Sequence, residues 1–291
     1  MSTQNPQVWL VTGASKGLGL EVVRQLLAQG HRVAATSRDL AELRAAVGPE
    51  HGAGSAAFLP LAVDLTREAS VAEAVRAAAE RFGRIDVVVN NAGYGQLGSL
   101  EELTDAEARA NFDVNVFGTL HVIRQVMPRL RAQRAGHVIN VSSIAGITGA
   151  FPGWGVYCAT KFAVEGLSES LAAEAAPFGV KVTVVAPGYF RTEFLSAGSL
   201  RTPAGPLDAY AAVRESEAVH QRQIRGNQPG DPVKAAAAIL RVAAEPTPPL
   251  HLLLGNDAHA MAEAKLAAAR EEMARWEALT RSTDFAAPVP A

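Results

Sequence analysis

A tyrosine and a lysine four residues apart, with a serine upstream, carry the clearest chemical signal in this chain of 291 residues. Tyr157 and Lys161 share one face of a predicted helix, because positions i and i+4 point the same way. A free phenol titrates at about 10, but a cation within about 4–6 Å lowers that pKa by roughly 1–3 units. We therefore expect Tyr157 to exchange a proton with a substrate oxygen that the hydroxyl of Ser143 also holds.

A glycine-rich loop near the start of the chain predicts a dinucleotide site. Residues 8–11 are apolar, residues 12–19 read Thr-Gly-Ala-Ser-Lys-Gly-Leu-Gly, and residues 20–27 have helical spacing. This order of strand, turn and helix lets the backbone approach a pyrophosphate, which the free N–H groups of the helix attract. The loop residues expected to contact the cofactor are Gly13, Ser15, Lys16, Gly17, Leu18 and Gly19.

The residues that follow the second predicted strand indicate which cofactor the loop binds. An NAD site usually has a carboxylate there for the ribose 2′-hydroxyl, whereas an arginine accommodates a 2′-phosphate. Ser37 stands where the acid is expected, and Arg38 follows it. Lys16 adds a second positive charge, and Asp39 is interpreted as the N-cap of a helix over residues 40–47. The pattern predicts NADP(H), with NAD(H) as the less favoured alternative.

The glycine loop and the tyrosine–lysine pair together resemble the short-chain dehydrogenase/reductase family, in its single-domain branch. Residues 12–19 match the family's T-G-x-x-x-G-x-G, and residues 157–161 match its Y-x-x-x-K. The resemblance extends over residues 8–255 and implies a catalytic tetrad that also includes Asn115 and Ser143. It further implies that the asparagine helps to hold a water in a proton relay and that the lysine binds the nicotinamide ribose.

Three more motifs extend the resemblance to the rest of the cofactor site. An Asp-Leu pair after the third predicted strand implies contacts with adenine, and N-N-A-G after the fourth lies against the adenosine ribose. The motif P-G-x-x-x-T after the sixth strand implies a site for the nicotinamide carboxamide. The resemblance thus adds these cofactor contacts: Asp64, Leu65, Asn91, Ala92, Gly93, Tyr157, Lys161, Pro187, Gly188 and Thr192.

The spacing between the catalytic serine and tyrosine departs from the family pattern. In much of the family the tyrosine is the thirteenth residue after the serine, whereas here Tyr157 is the fourteenth after Ser143. We place the extra residue in the loop 150–155. Ser142 is the competing candidate, but it would need a longer insertion.

Alternating apolar runs and amphipathic stretches predict a doubly wound (Rossmann) α/β fold with a seven-stranded parallel sheet in a single domain. Helical patterns include residues 68–82, 105–130, 157–176 and 232–244. The predicted strands are residues 8–12, 32–36, 57–63, 85–90, 137–142, 181–186 and 250–254. We assign residues 1–255 to the dinucleotide-binding and catalytic domain.

Two segments fall outside this regular alternation. Residues 193–231 are rich in glycine, proline and polar residues with a weak helix, and we interpret them as a lid over the substrate. Residues 256–291 form a C-terminal helical extension. Within it, an apolar face is expected to pack against the domain or the lid, with a subunit contact as the alternative. This face comprises Ala262, Leu266, Ala269, Met273 and Trp276.

Composition is that of a soluble globular protein. Hydrophobic residues make up 48% and charged residues 19%, and the formal net charge of −2 gives no electrostatic reason to expect a nucleic acid or membrane partner. No apolar run approaches the length of a membrane span, and the first residues lack the apolar core of a signal peptide. The single cysteine, Cys158, fits a reducing compartment, so we expect a cytoplasmic protein. No His/Cys cluster has zinc-ligand spacing, and no metal is expected.

These motifs predict an NADP(H)-dependent carbonyl reductase that is reversible as an alcohol dehydrogenase. The stretch around Tyr157 resembles the 17β-hydroxysteroid and retinol dehydrogenase side of the family, which implies a hydrophobic ketone or aldehyde as substrate. Family habit implies a homodimer or homotetramer. An NAD-linked alcohol dehydrogenase and a non-catalytic NADP(H)-sensing protein stay open as alternatives. Five aromatic residues are candidates for the substrate pocket: Phe151, Trp154, Tyr189, Phe190 and Phe194.

Overall fold

The strands of the chain form one large and one small parallel sheet. The structure is a computed structural model that describes residues 6–285. Its strands are β1 (Val8–Val11), β2 (Arg32–Ser37), β3 (Phe58–Ala62), β4 (Val87–Asn90), β5 (Gly95–Gln96), β6 (Gly136–Val141), β7 (Val180–Pro187), β8 (Leu200–Arg201) and β9 (His251–Leu254). Seven of them pair in the order β3-β2-β1-β4-β6-β7-β9, and β5 pairs with β8. The predicted doubly wound parallel sheet is confirmed.

Helices cover both faces of the large sheet. They are α1 (Gly17–Ala28), α2 (Leu40–Val47), α3 (Glu68–Phe82), α4 (Asp105–Phe112), α5 (Gly118–Gln133), α6 (Gly155–Ala175), α7 (Ala211–Val219), α8 (Pro232–Ala244) and α9 (Asn256–Arg281). Asp39 caps α2 as predicted, since its Oδ1 accepts hydrogen bonds from the N–H groups of Ala41 and Glu42. Within residues 6–285, no helix is long and apolar enough to span a bilayer. Residues 286–291 of the predicted extension lie outside the described part.

The central strands are buried on both faces, which explains their continuous apolar runs. Successive side chains of a strand point to opposite faces. Trp9 and Val11 of β1 therefore join the core beneath α1 and α8, while Leu10 joins the core beneath α3, α5 and α6. Each fully buried aliphatic side chain contributes about 1.5–3 kcal/mol, so these two layers fix the positions of the strand ends.

A chain of polar side chains ties α6 to the middle of the sheet. The amide of Asn90 on β4 donates to Asn140 Oδ1 at 2.8 Å, and Asn140 in turn donates to Ser168 Oγ at 2.9 Å. All three residues are buried, where an unpaired polar group would cost about 1–3 kcal/mol. The pairing therefore specifies one position of α6, the helix that carries Tyr157.

The predicted helix over residues 105–130 is interrupted. A π-helical turn, Asp113–Phe117, separates α4 from α5. The side-chain spacing predicted one continuous helix because no breaking residue marks the turn. Such turns occur mostly at functional sites, and this one contains Asn115.

The segment 193–231 is ordered and packs onto the domain. It contains β8, α7 and a π-helical turn, His220–Ile224. The carboxylate of Glu102 is buried and accepts hydrogen bonds at 2.8 Å from the N–H groups of Ser99 and Leu207. Its ion pair with Arg214 connects the same carboxylate to α7. Two residues of the segment, Leu207 and Arg214, are thus held by one buried carboxylate over the end of the sheet.

Helix α9 packs on the domain only through its first turns. Ala258 and Ala262 are buried, and the helix then runs past the edge of the domain. Leu266, Met273 and Trp276 are exposed, so the prediction that they pack against the domain or the lid is wrong. The spacing correctly gave one apolar face, but a periodic pattern does not tell which surface covers it.

Candidate active site

The carboxyl ends of the central strands open into one crevice of about 370 Å³. Every predicted catalytic and cofactor-binding residue lines it except Gly19 and Asn115. Parallel strands bring the loops that follow them to one edge of the sheet, which is why motifs far apart in sequence meet there.

Glycine is required in the first loop because the backbone comes close to its neighbours. Gly13 has φ +65°, and a Cβ on it would lie 2.7 Å from Ala92 Cα. Gly19 lies behind the loop, where a Cβ would come within 2.5 Å of Gly13 O. Asn91 braces the same turn by donating to the carbonyl oxygens of Thr12 and Gly13, both at 3.0 Å. Gly19 thus shapes the loop from behind rather than lining the crevice.

The start of α1 fits the pyrophosphate of a dinucleotide. Lys16 occupies the N-cap, but its side chain does not cap the helix. The N–H groups of the first turn can therefore bind an anion, which the helix dipole also favours. The ammonium of Lys16 donates to Gly198 O at 3.1 Å and so points to the segment 193–231 rather than to the predicted 2′-phosphate position.

Ser37 and Arg38 line one end of the crevice, beside two carboxylates. Hydrogen bonds from the side chain and the backbone N–H of Thr66 hold the pKa of Asp64 below its usual range. Glu42, in the first turn of α2, lines the same end. Sequence reasoning missed Glu42, because it lies outside the motif at the end of β2.

Tyr157 is buried, and the Ser143 hydroxyl lies close enough to lower the pKa of its phenol. Ser143 Oγ also accepts from the N–H of Ala145 at 3.1 Å, which fixes its position at the end of β6. Ser142 points elsewhere, since its hydroxyl donates to Lys161 O at 3.3 Å. Of the two candidate serines, the structure therefore brings Ser143 to the tyrosine.

The pKa of Tyr157 is shifted opposite to the expected direction. Burial raises this pKa, and the hydrogen bond from Ser143 lowers it only in part. Lys161 Nζ lies 5.8 Å from the centre of the phenol ring and donates to Val141 O at 2.9 Å. Burial lowers the pKa of Lys161 to about 8. Desolvation thus outweighs the expected effect of the cation, and Tyr157 holds its proton at neutral pH.

Asn115 positions the catalytic helix. Its side-chain amide donates to Tyr94 O and to Thr160 Oγ1, both at 3.0 Å, and its Oδ1 accepts from the N–H of Tyr94 at 3.0 Å. Thr160 Oγ1 then donates to Tyr157 O at 2.7 Å. The asparagine is therefore connected to the tyrosine through one side chain, and its part in a water relay stays a prediction.

The loop after β7 is held by the first turn of α9. The N–H of Tyr189 donates to Asp257 Oδ2 at 2.7 Å, and the N–H of Gly188 donates to Leu254 O at 2.9 Å. A Cβ on Gly188 would collide with the Asp257 carboxylate, so a larger residue here would displace that carboxylate. Asp257 was not predicted as part of the site, because sequence reasoning placed it in a separate extension.

Two aromatic rings pack against the ring of Tyr157. Trp154 packs edge-on against it with ring centroids 5.6 Å apart, and Phe194 packs at 5.7 Å. The wall of the crevice includes all five aromatic residues predicted for the substrate pocket: Phe151, Trp154, Tyr189, Phe190 and Phe194.

Two polar side chains that were not predicted also line this pocket. His220 Nδ1 donates to Ser216 O at 2.7 Å, so its Nε2 accepts from the Tyr189 hydroxyl at 2.9 Å. Burial lowers the pKa of His220. Gln228 is buried, and its side-chain amide has no hydrogen-bond partner within residues 6–285. No motif marks either residue, because both come from the irregular segment 193–231.

A sequence model of the family described as short chain dehydrogenase matches residues 7–200. This chain belongs to the short-chain dehydrogenase family. Oxidoreductase BOA17 of Botryotinia fuckeliana is 38% identical over 276 residues, which cover 94% of this chain and 98% of the relative. This short-chain dehydrogenase is accordingly an oxidoreductase.

Two further relatives carry more specific names. A 3-ketodihydrosphingosine reductase of Bacteroides thetaiotaomicron is 38% identical over 252 residues, covering 86% of this short-chain dehydrogenase and 88% of the relative. Retinol dehydrogenase 8 of Bos taurus is 34% identical over 256 residues, covering 84% and 80%. The resemblance to the retinol dehydrogenase side of the family is confirmed.

Solved structures agree with the fold and include complexes with both cofactors. A short-chain dehydrogenase from Streptomyces avermitilis superposes with a TM-score of 0.87 at 39% identity, covering 97% of this chain and 100% of that one. A Burkholderia phymatum enzyme in complex with NAD has a TM-score of 0.78 at 25% identity, covering 100% of both chains. A Burkholderia cenocepacia enzyme in complex with NADP has a TM-score of 0.70 at 29% identity, covering 93% and 97%.

We predict that Asp257→Ala weakens cofactor binding about tenfold, because it removes a charge-assisted hydrogen bond of about 1.5–3 kcal/mol from the loop at Tyr189. Calorimetric titration with the reduced cofactor measures the change. Glu263→Ala, in an exposed turn of the same helix, should leave the affinity unchanged. Equal affinities for wild type and Asp257→Ala would show that α9 does not support the loop.

Proposed function

We propose that this short-chain dehydrogenase reduces the carbonyl group of a hydrophobic ketone or aldehyde with NADPH, in a reversible reaction. The observation that carries the proposal is the buried phenol of Tyr157, which keeps its proton among aromatic rings at the end of the cofactor crevice. When bound, the reduced cofactor supplies a hydride to the carbonyl carbon.

The chain itself supplies the proton. Tyr157 donates its hydroxyl proton to the carbonyl oxygen, and Ser143 holds that oxygen by a hydrogen bond. Lys161, cationic below its pKa of about 8, stabilises the phenolate that remains. Asn115 keeps the helix of the tyrosine in register through Thr160. In the oxidative direction the same groups carry the proton back.

The walls of the pocket favour a lipophilic substrate with a polar group. Trp154 and Phe194 present apolar surface beside Tyr157. Gln228 holds in the wall an amide that has no partner among residues 6–285. A buried amide without a partner costs about 1–3 kcal/mol, and a hydroxyl, amine or carbonyl of the substrate can offset that cost. Relatives named for 3-ketodihydrosphingosine and for retinol support this class.

The preference for NADPH is inferred from the residues at the end of β2. Ser37 supplies no negative charge, and Arg38 is exposed beside the crevice, where it can pair with a 2′-phosphate. One observation favours a second candidate, an NAD-linked alcohol dehydrogenase. Glu42 and Asp64 line the same end, and a carboxylate there can accept from a ribose 2′-hydroxyl.

Titration of the protein with NADPH and with NADH distinguishes the two candidates. We expect Arg38→Ala to weaken NADPH binding at least tenfold, because a charged phosphate contact contributes about 1.5–3 kcal/mol, and to leave NADH binding unchanged. Arg44→Ala, an exposed arginine on α2, is the matched control. Tighter binding of NADH by the wild type would favour the NAD-linked dehydrogenase instead.

Turnover of NADPH with a panel of hydrophobic ketones and aldehydes tests the reaction. We expect kcat/KM to be constant below pH 8 and to fall above it, because neutral Lys161 no longer stabilises the phenolate. In Lys161→Arg the residual kcat/KM should not fall above pH 8, since arginine stays charged. The control variant Lys234→Arg, at the surface of α8, should show the same fall in kcat/KM above pH 8 as the wild type. NADPH binding without turnover of any carbonyl would favour the non-catalytic NADP(H)-sensing protein.

A further inference from the structure

The outer part of α9 is an apolar helix face that no other part of residues 6–285 covers. Leu266 is 57% exposed, Met273 is 73% exposed and Trp276 is 58% exposed. From Glu263 onward only Ala269 is partly buried within the described helix. Residues 263–281 thus project about 28 Å beyond the domain, at 1.5 Å for each residue. Most of the stability of a helix in a protein comes from the packing of its apolar face, so this exposed face calls for a partner.

The exposed side chains continue the stripe by which α9 docks on its own domain. Their separations alternate between four and three residues, which is the spacing of a seam between two packed helices. The stripe comprises Ala262, Leu266, Ala269, Met273, Trp276 and Thr280.

We propose that this seam joins two copies of the chain through an antiparallel pair of α9 helices. The charges of residues 263–281 favour another helix over an anionic lipid surface. Four basic side chains, Lys265, Arg270, Arg275 and Arg281, are balanced by four acidic ones, Glu263, Glu271, Glu272 and Glu277. Membrane-surface helices instead carry an excess of basic residues on the polar face. The contact is independent of the proposed reaction.

The residues that flank the seam exclude a parallel, in-register pair. Glu263, Arg270 and Glu277 border one side, while Lys265 and Glu272 border the other. In a parallel pair, the residue that precedes a seam position lies beside the partner's residue that follows the next seam position. Lys265 precedes the seam residue Leu266, and Arg270 follows the next one, Ala269. Lys265 would then meet the partner's Arg270, and Glu272 would meet the partner's Glu277. Both contacts set like charges together.

One antiparallel register satisfies both the charges and the space around the domain. With Met273 against the partner's Trp276, Arg270 lies beside the partner's Glu277, and symmetry repeats that ion pair. Ala269 then faces the partner's Thr280, and the partner helix stays clear of Ala262, which its own domain covers.

The neighbouring registers are less favourable. In one neighbouring register the partner helix lies closer to the domain, and Leu266 meets the partner's Trp276. Arg270 then lies beside the partner's Arg270. This register also sets Glu272 beside the partner's Glu272. A further step would place the partner's Met273 on Ala262, a position that the domain already occupies.

Sedimentation velocity of the full chain tests the contact. We expect Arg270→Glu to lower the mass of the wild-type assembly to half, because it sets two acidic side chains together at both ends of the seam. The double variant Arg270→Glu/Glu277→Arg should restore the wild-type mass. Arg275→Glu makes the same change of charge on the opposite side of the helix and should have no effect.

Several outcomes would overturn the proposal. A monomeric wild type would contradict it. So would an assembly whose mass is unchanged both in Arg270→Glu and in the double variant Met273→Ser/Trp276→Ser, which removes the two large apolar side chains of the seam. A loss of mass that the charge swap does not restore would also contradict it. Binding of a monomeric wild type to phosphatidylcholine–phosphatidylserine vesicles would assign the face to a membrane instead. Circular dichroism and retained cofactor binding verify that each variant is folded.

Cysteine variants test the direction of the helices. The one native cysteine, Cys158, is buried, so added cysteines on α9 can be followed separately. In the antiparallel register, Ala269→Cys/Thr280→Cys should form a covalent dimer under mild copper–phenanthroline oxidation. Each single variant should form several-fold less. Efficient cross-linking of the single variants would indicate parallel helices and contradict the proposal.

Discussion

The position of α6 on the carboxyl end of β6 is the constraint on which the site depends. Lys161 donates to Val141 O on β6, and Ser142 donates back to Lys161 O. Deeper in the fold, Asn140 of β6 donates to Ser168 of α6. These bonds fix both the rotation and the height of the helix, because a shift by one residue would break all of them. Once α6 is fixed, the phenol must lie where the cofactor crevice meets the aromatic pocket.

The same burial sets the chemistry of the catalytic pair. Removal from water disfavours the charged form of both groups, so the pKa of Tyr157 is raised and the pKa of Lys161 is lowered. At neutral pH the tyrosine is then a proton donor with a cation nearby. The segment 193–231 contributes to this environment, since Phe194 packs against the tyrosine ring. The segment 193–231 and Tyr157 are therefore parts of one buried cluster.

The features that depend on local or periodic patterns could be predicted from the sequence. The sequence predicted the strand–turn–helix at Gly13, the tyrosine–lysine face and the alternating elements, since each depends on short-range geometry. It could not predict the π-helical turn around Asn115 or the inward position of Gln228, which depend on tertiary packing. The direction of the Tyr157 pKa shift was missed for the same reason. Burial is a property of the assembled fold, whereas the nearby cation could be read from spacing.

Single-turnover stopped-flow measurement of NADPH oxidation in Tyr157→Phe tests the central claim most directly. The variant keeps the ring and its packing but lacks the proton. The account predicts that the rate of hydride transfer falls by about 10²–10⁴, the usual contribution of a general acid, while NADPH affinity is retained. A rate within a few-fold of the wild type, at unchanged affinity, would show that another group donates the proton and would contradict the account.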